Sequence, residues 1–183
     1  APFYLRQGCD KKLAALAHDL QDGNIAAVIF YGVNPVYDYP ESQKFIDGIK
    51  KCQLSVSFSE TLDETAQLCH YVCPDNHYLE SWNDAEPQKN FFTLAQPVIN
   101  PIFNTRQAQE SLLRWAGRET AFYDYIRAYW EKDIFPKQND FMTFEPFWNK
   151  SLHDGVAEMV DTGDWKLDYR FIDFSGINSG SAS

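Results

Sequence analysis

The sequence predicts an α/β fold: a Rossmann-like three-layer unit with a short parallel sheet, followed by a helical, aromatic-rich C-terminal extension. Three observations carry this. The run at 25–30 (IAAVIF) lacks the apolar/polar alternation of a half-solvated strand, and brief runs at 54–58 (LSVSF) and 70–73 (HYVC) are expected to join it in one parallel sheet with helices on both faces. Stretches with helical spacing of apolar residues lie between them, and right-handed crossovers then make successive strands parallel. Aromatic residues make up 16% of the chain and crowd beyond Phe122. That concentration forms either a second small core or a surface to be covered by further protein, and the second alternative predicts a partly exposed apolar patch between Phe122 and Trp148.

The elements follow in order. Asp10 can cap a helix whose Leu13, Leu16, Ala17 and Leu20 share a stripe, and Gly23 is placed to end it in the left-handed conformation. The strand at 25–30 runs into the turn Tyr31-Gly32-Val33-Asn34-Pro35, where Pro35 pushes Asn34 out of the helical region. Pro40 opens a helix with Phe45, Ile46 and Ile49 inward, and the strand at 54–58 follows. Thr61 and Glu64 have capping-box spacing, which predicts a helix over 61–69 ahead of a strand at 70–73 stopped by Pro74. Pro97 and Pro101 make 91–103 an edge strand or extended loop wrapping the surface.

Asn104 or Thr105 is expected to cap a helix with Ala108, Leu112 and Trp115 on one face, closed by Gly117. A second helix from Thr120 carries Phe122, Ile126, Tyr129 and Trp130, and a third from Thr143 carries Pro146 in its first turn and Gly155 behind it. Trp165, Leu167, Tyr169 and Phe171 alternate as in a strand, and the Gly/Ser-rich stretch after Ser175 reads as a flexible tail. The expected organisation is a Rossmann-like domain with its wrapping loop at 1–117, an aromatic extension at 118–174 and a tail at 175–183.

A net charge of −10 with no cluster of Lys or Arg excludes nucleic acid and anionic membrane as partners. No apolar run reaches spanning length, which predicts no direct membrane insertion, and the N-terminus carries neither a signal-like segment nor an initiator Met, as in a domain excised from something longer. Cys9, Cys52, Cys69 and Cys73 are too irregularly spaced for a disulfide framework or metal knuckle and read as buried thiols.

Asp75, His77, Glu80, Asp84 and Glu86, with Tyr78 and Trp82, follow a strand's carboxyl end, where open α/β sheets place their ligand crevice. Asp75, His77 and Glu80, with Asp84, are the candidates for a metal site or acid–base pair, as carboxylates plus imidazole suit zinc, manganese or iron. The competing reading makes these carboxylates helix caps and solvated loop groups. His18 and His70 read as packed or exposed rather than ligating, and Ser57, Ser59 and Ser81 lack a nucleophile-elbow context. Gly32 stands without the glycine fingerprint of dinucleotide binding.

Several spaced motifs nevertheless occur in a familiar order. Tyr31-Gly32-Val33-Asn34-Pro35, Asp63-Glu64-Thr65-Ala66, Val72-Cys73-Pro74, Glu80, and Gln96-Pro97 with Pro101 before a helix ending at Gly117 resemble the molybdopterin oxidoreductases of the dimethyl sulfoxide reductase superfamily. That family shows a glycine and Asn-Pro turn, a Thr-Glu-Thr-Ala helix start, an Ala-Asp-Val-Val-Leu-Pro strand and a glutamate. The segments HYLESWNDAEP at 77–87 and NTRQA at 104–108 are similar to the molybdopterin-like, iron–sulfur subunit of bacterial alternative complex III. The match covers about 25–117.

The resemblance implies that Gly32, Asn34 and Ser59 stand where the family binds its cofactor. It also implies a parent protein in which molybdopterin guanine dinucleotide and iron–sulfur clusters are possible. The chain departs from the family where Cys69-His70-Tyr71-Val72-Cys73-Pro74 replaces the usual strand, where the acidic nucleotide contact falls near Ser59, and where a basic residue falls at Ser81. The expectation is therefore an excised domain of a subunit in a respiratory quinol-oxidising complex on the periplasmic side of the inner membrane. Its role there is scaffold or interface, its partners are the rest of its own chain and other subunits, and alone it carries no cofactor and no activity. A molybdopterin-guanine-dinucleotide-binding domain and a stand-alone metal hydrolase are the alternatives.

Overall fold

The computed structural model describes residues 8–159, so the alternating segment 165–171 and the tail 175–183 lie outside the described residues. The chain is α/β, built on two three-stranded sheets, each with its own apolar core. The first sheet is parallel, with strands β1 (Ala27–Phe30), β2 (Leu54–Ser57) and β3 (Tyr71–Val72) in that spatial order. Ile29 pairs with Val56 and Phe30 with Ser57, while Ser57 in turn pairs with Val72.

Helices α1 (Asp10–Asp22) and α3 (Ser42–Ile49), with the single turn α2 (Pro35–Asp38) between them in sequence, close one face of this sheet through Ala17, Leu20, Phe45 and Ile49 against Phe30. Gly23 ends α1 with φ 78°, as its position predicts, but Cys9 rather than Asp10 occupies the cap, without a side-chain bond. The opposite face is not covered as the apolar runs predict. Ile29 is 47% and Tyr71 61% exposed, whereas Val56, in register with both, is 4% exposed, so that face is covered only in part.

The helix expected over 61–69 is a correction of larger size. Only a single tight turn forms, at Ala66–Leu68. Its cap is Asp63, whose Oδ1 accepts from the Ala66 amide at 2.7 Å, while Glu64 is drawn away to Asn34. A carboxylate offered to a loop partner no longer closes a capping box, so Thr61 starts nothing. The strand after it does form, and His70 locks it in place. His70 Nδ1 accepts from both the amide and the hydroxyl of Ser55, and the Ser55 hydroxyl oxygen accepts from the His70 amide.

The second sheet is antiparallel, with β5 (Phe91–Ala95) between β4 (Asn83–Gln88) and β6 (Val156–Glu158). Segment 91–95 is thus a central strand, not the predicted edge or loop. Pro97 and Pro101 fall beyond its end, and Phe92 and Leu94 point into a core. Pro87 sits on the outer strand β4, at the register shift between Ala85 and Gln88, where its missing N–H removes no ladder bond.

Helices α5 (Phe122–Tyr129) and α6 (Phe144–Asp154) cover this sheet, and Thr143 and Gly155 bound α6 as the sequence predicts. Phe122, Ile126, Trp130, Ile134, Phe144, Phe147 and Trp148 are all buried with Phe92 and Ala157. Most of the aromatic residues expected to form an exposed patch between Phe122 and Trp148 are instead a core, with Trp130 and Trp148 meeting edge to face at 5.7 Å, while Tyr125 and Tyr129 remain 41% and 40% exposed. A sheet that those strand-poor residues could cover was not visible in their own spacing.

Candidate functional site

The chain turns sharply after each parallel strand, and the three turns meet in one cleft of about 610 Å³. After β1 come Tyr31, Gly32 and Asn34; after β2 come Phe58 to Asp63; after β3 comes Asp75. The first turn of helix α4 (Ala108–Trp115) closes the remaining side through Gln107 and Gln109. This is the carboxyl end of an open parallel sheet, the place where such sheets hold ligands.

Asn34 is fixed by the fold. Its Oδ1 accepts from the hydroxyl of buried Thr65 at 2.6 Å and from the Thr65 amide at 3.2 Å, and its Nδ2 donates to Glu64 at 2.7 Å. The Thr65 hydroxyl oxygen accepts in turn from the Val36 amide at 3.1 Å, so one side chain joins the turn after β1 to the loop after β2. That hydrogen bond to Asn34 holds the exposed Glu64 carboxyl below its ordinary range. Gly32, at φ 63°, makes the preceding bend available without a Cβ penalty.

Asp75 is the second fixed point. Its Oδ1 accepts from the Asn76 amide at 2.8 Å and from the Ala108 amide at 2.7 Å. It therefore caps α4 from 33 residues away, which replaces the cap expected from Asn104 or Thr105; Thr105 instead donates its hydroxyl to Asn76 Oδ1 at 2.6 Å. Burial pushes the Asp75 carboxyl above its ordinary range, against the pull of those amides and of the Tyr31 hydroxyl. Burial likewise raises Tyr31, whose oxygen accepts from Gln109 Nε2 at 3.0 Å.

Of the sequence candidates, Gly32, Asn34, Ser59 and Asp75 line the cleft together. His77 and Glu80 do not join Asp75 as a ligand set. They close a capping box on the turn Tyr78–Glu80, with His77 Nδ1 accepting from the Leu79 amide and Glu80 Oε2 from the His77 amide, while Glu80 Oε1 accepts from the Ile102 amide. Asp84 leaves the cleft for the second core, where Trp130 donates to it at 2.9 Å. Among the described residues no group of three or more His, Cys, Asp or Glu side chains is gathered to hold a metal. Cys52 is buried, Cys69 and Cys73 are partly so, and Cys9 is exposed, contrary to the expectation for that thiol.

Tyr31, Phe58, Gln107 and Gln109 line the cleft without having been singled out as candidates. The only available signal was that Tyr31 directly follows, and Phe58 ends, a run that reads as a strand.

The lining decides what charge the cleft takes. Asp38, Glu60, Asp63 and Asp75 line it, and none of its lining residues is Lys or Arg. A pyrophosphate-bearing dinucleotide needs convergent cationic donors, so this donor set does not fit one. No helix among the described residues is long and apolar enough to cross a membrane.

No family model matches the chain. Over 96 residues, half of the chain, it is 34% identical to the menaquinone reductase molybdopterin-binding-like subunit of Nitratidesulfovibrio vulgaris strain Hildenborough, of which it spans 14%. Among solved structures, acetylene hydratase from Pelobacter acetylenicus superposes with a TM-score of 0.50 at 23% identity, over 58% of this chain and 16% of that one, and it shows a shared fold. The sequence likeness supports the molybdopterin oxidoreductase superfamily as the relationship of this chain.

Proposed function

We propose that the chain is a scaffold and interface domain of a molybdopterin-oxidoreductase-like subunit, within a respiratory complex that exchanges electrons with a quinol, and that the redox chemistry is carried elsewhere in that complex. The observation that carries this reading is the cleft. It stands at the carboxyl ends of the parallel strands, yet four carboxylates and no cationic side chain line it. The relative's printed name, a molybdopterin-binding-like subunit of a menaquinone reductase, supports both the family and the quinone setting. The motif resemblance to the alternative complex III subunit supports a periplasmic, membrane-associated assembly with further subunits as partners.

The second reading, a domain that binds molybdopterin guanine dinucleotide, is favoured by Gly32, Asn34 and Ser59 all lining one cleft. In that reading Ser59 and the Asn34 turn would hold the nucleotide end. A guanosine diphosphate titration followed by thermal denaturation separates the two. The interface reading expects no rise in melting temperature. A rise that disappears in Ser59→Ala would overturn it and establish the cofactor domain.

A further inference from the structure

We propose that the cleft receives the guanidinium group of an arginine presented by a docking polypeptide segment. This rests on the interface reading above and names the partner chemistry of the same cleft.

Four observations converge on it. First, the charge is one-signed: Asp38, Glu60, Asp63 and Asp75 enter from the chain that follows each of the three parallel strands, with no lining Lys or Arg. Second, the walls include two exposed aromatic rings, Tyr31 and Tyr78. A planar guanidinium stacks on such rings and binds a carboxylate bidentately through its rigid fork, which an ammonium group does not do. Third, Gln109 lines the cleft, its Nε2 is committed to Tyr31, and its buried Oε1 has no hydrogen-bond partner among the described residues. A buried, unpaired acceptor on a residue of the lining suits a donor-rich guest, and guanidinium carries five N–H groups and no acceptor. Burial already raises the Asp75 carboxyl, a penalty that an entering cation relieves.

The fourth observation chooses a polypeptide over a small free cation. Tyr78 stands 72% exposed at the cleft. The proline-bounded loop next to it is pinned to that turn, with the Val98 and Ile99 amides donating to the Leu79 carbonyl and the Ile102 amide to Glu80. The loop holds Val98 and Phe103 each 75% exposed. A fixed apolar shelf joined to an acidic cleft suits a segment with an arginine flanked by apolar residues, whereas a small cation uses only the cleft.

The test uses the whole chain and two-dimensional amide NMR. Arginine amide at about 10 mM, a concentration suited to a millimolar site, should shift amides in 31–34, 58–63 and 75–78. Citrulline amide, its uncharged counterpart, should not. A short peptide with arginine between two leucines should bind at least about tenfold more tightly than arginine amide and also shift 96–103. The double variant Asp38→Asn, Glu60→Gln should weaken the peptide at least about fivefold. These two carboxylates are exposed cleft groups, and neither appears in a described hydrogen bond. Equal binding of citrulline amide, shifts confined to other surfaces, or an unchanged affinity in the variant would overturn the proposal. Binding of arginine amide with no gain from the peptide would overturn the polypeptide source. None of these outcomes touches the interface reading, which fails instead on the guanosine diphosphate titration.

Discussion

Asn34 shows how one residue can satisfy both a family motif and the needs of its own fold. Its amide group bonds Thr65 twice and Glu64 once, so its polar atoms are already committed. Asn34→Ala leaves the buried Thr65 hydroxyl and amide without that acceptor and should cost about 1–3 kcal/mol, read as a lower urea midpoint. A stability equal to wild type would show that water replaces the clasp. Asp84 carries a different lesson. Burial holds its carboxyl above the ordinary range, although the bond from Trp130 pulls the other way. A folded value raised in this way means that the group's contribution is full below the ordinary carboxylate range and is lost as pH climbs through the raised value. Asp84→Asn keeps an oxygen for Trp130 and should therefore be more stable than wild type near pH 7. That advantage should shrink on acidification toward about pH 4, where a carboxyl begins to protonate. Urea midpoints that keep the same separation at both pH values would count against this account. Neither role was legible in the sequence, where Asn34 reads as a turn residue and Asp84 as one acid among several in a polar loop.

At the scale of elements, the helices announced themselves more reliably than what they touch. Gly23 and Gly155 end α1 and α6 in the left-handed conformation, and a glycine after an apolar stripe is readable because few other residues adopt that geometry. Gly48 was not readable. It lies within α3 with no backbone demand, but a Cβ there would come within 2.6 Å of the Leu20 Cβ and 2.8 Å of the Leu20 carbonyl carbon. Gly48→Ala should force α1 and α3 apart and cost about 1–3 kcal/mol, visible in thermal denaturation; a neutral effect would mean that α1 shifts freely. The helix caps show the same division. Asp75 serves α4 across 33 residues of sequence, and a cap from so far away has no local spacing to betray it. Asp75→Ala should leave the Ala108 and Asn76 amides unpaired and destabilise by about 1–3 kcal/mol, whereas Asp75→Asn, which keeps the accepting oxygen, should recover most of the loss.

For the whole molecule, two sheets with separate cores divide the consequences of mutation. Trp130 is 0% exposed, meets Phe92, Phe147 and Trp148, and donates to Asp84. Trp130→Ala should cost about 3–5 kcal/mol. Amide exchange should accelerate first in β4, β5 and β6, because no residue of the other core touches the ring in these contacts. Uniform acceleration across β1 to β3 as well would show one cooperative unit. The sequence by itself determined the parallel sheet, the helices α1, α3, α5 and α6 and the Asn34 turn, because periodicity, glycine and proline act within a few residues. Only the tertiary structure decided that 91–95 is a central strand, that the late aromatic residues are a core, that Asp75 caps a helix while His77 and Glu80 close a box of their own, and that four carboxylates share one cleft. Each of those outcomes depends on residues far apart in the chain meeting in space, and local spacing carries no record of such meetings.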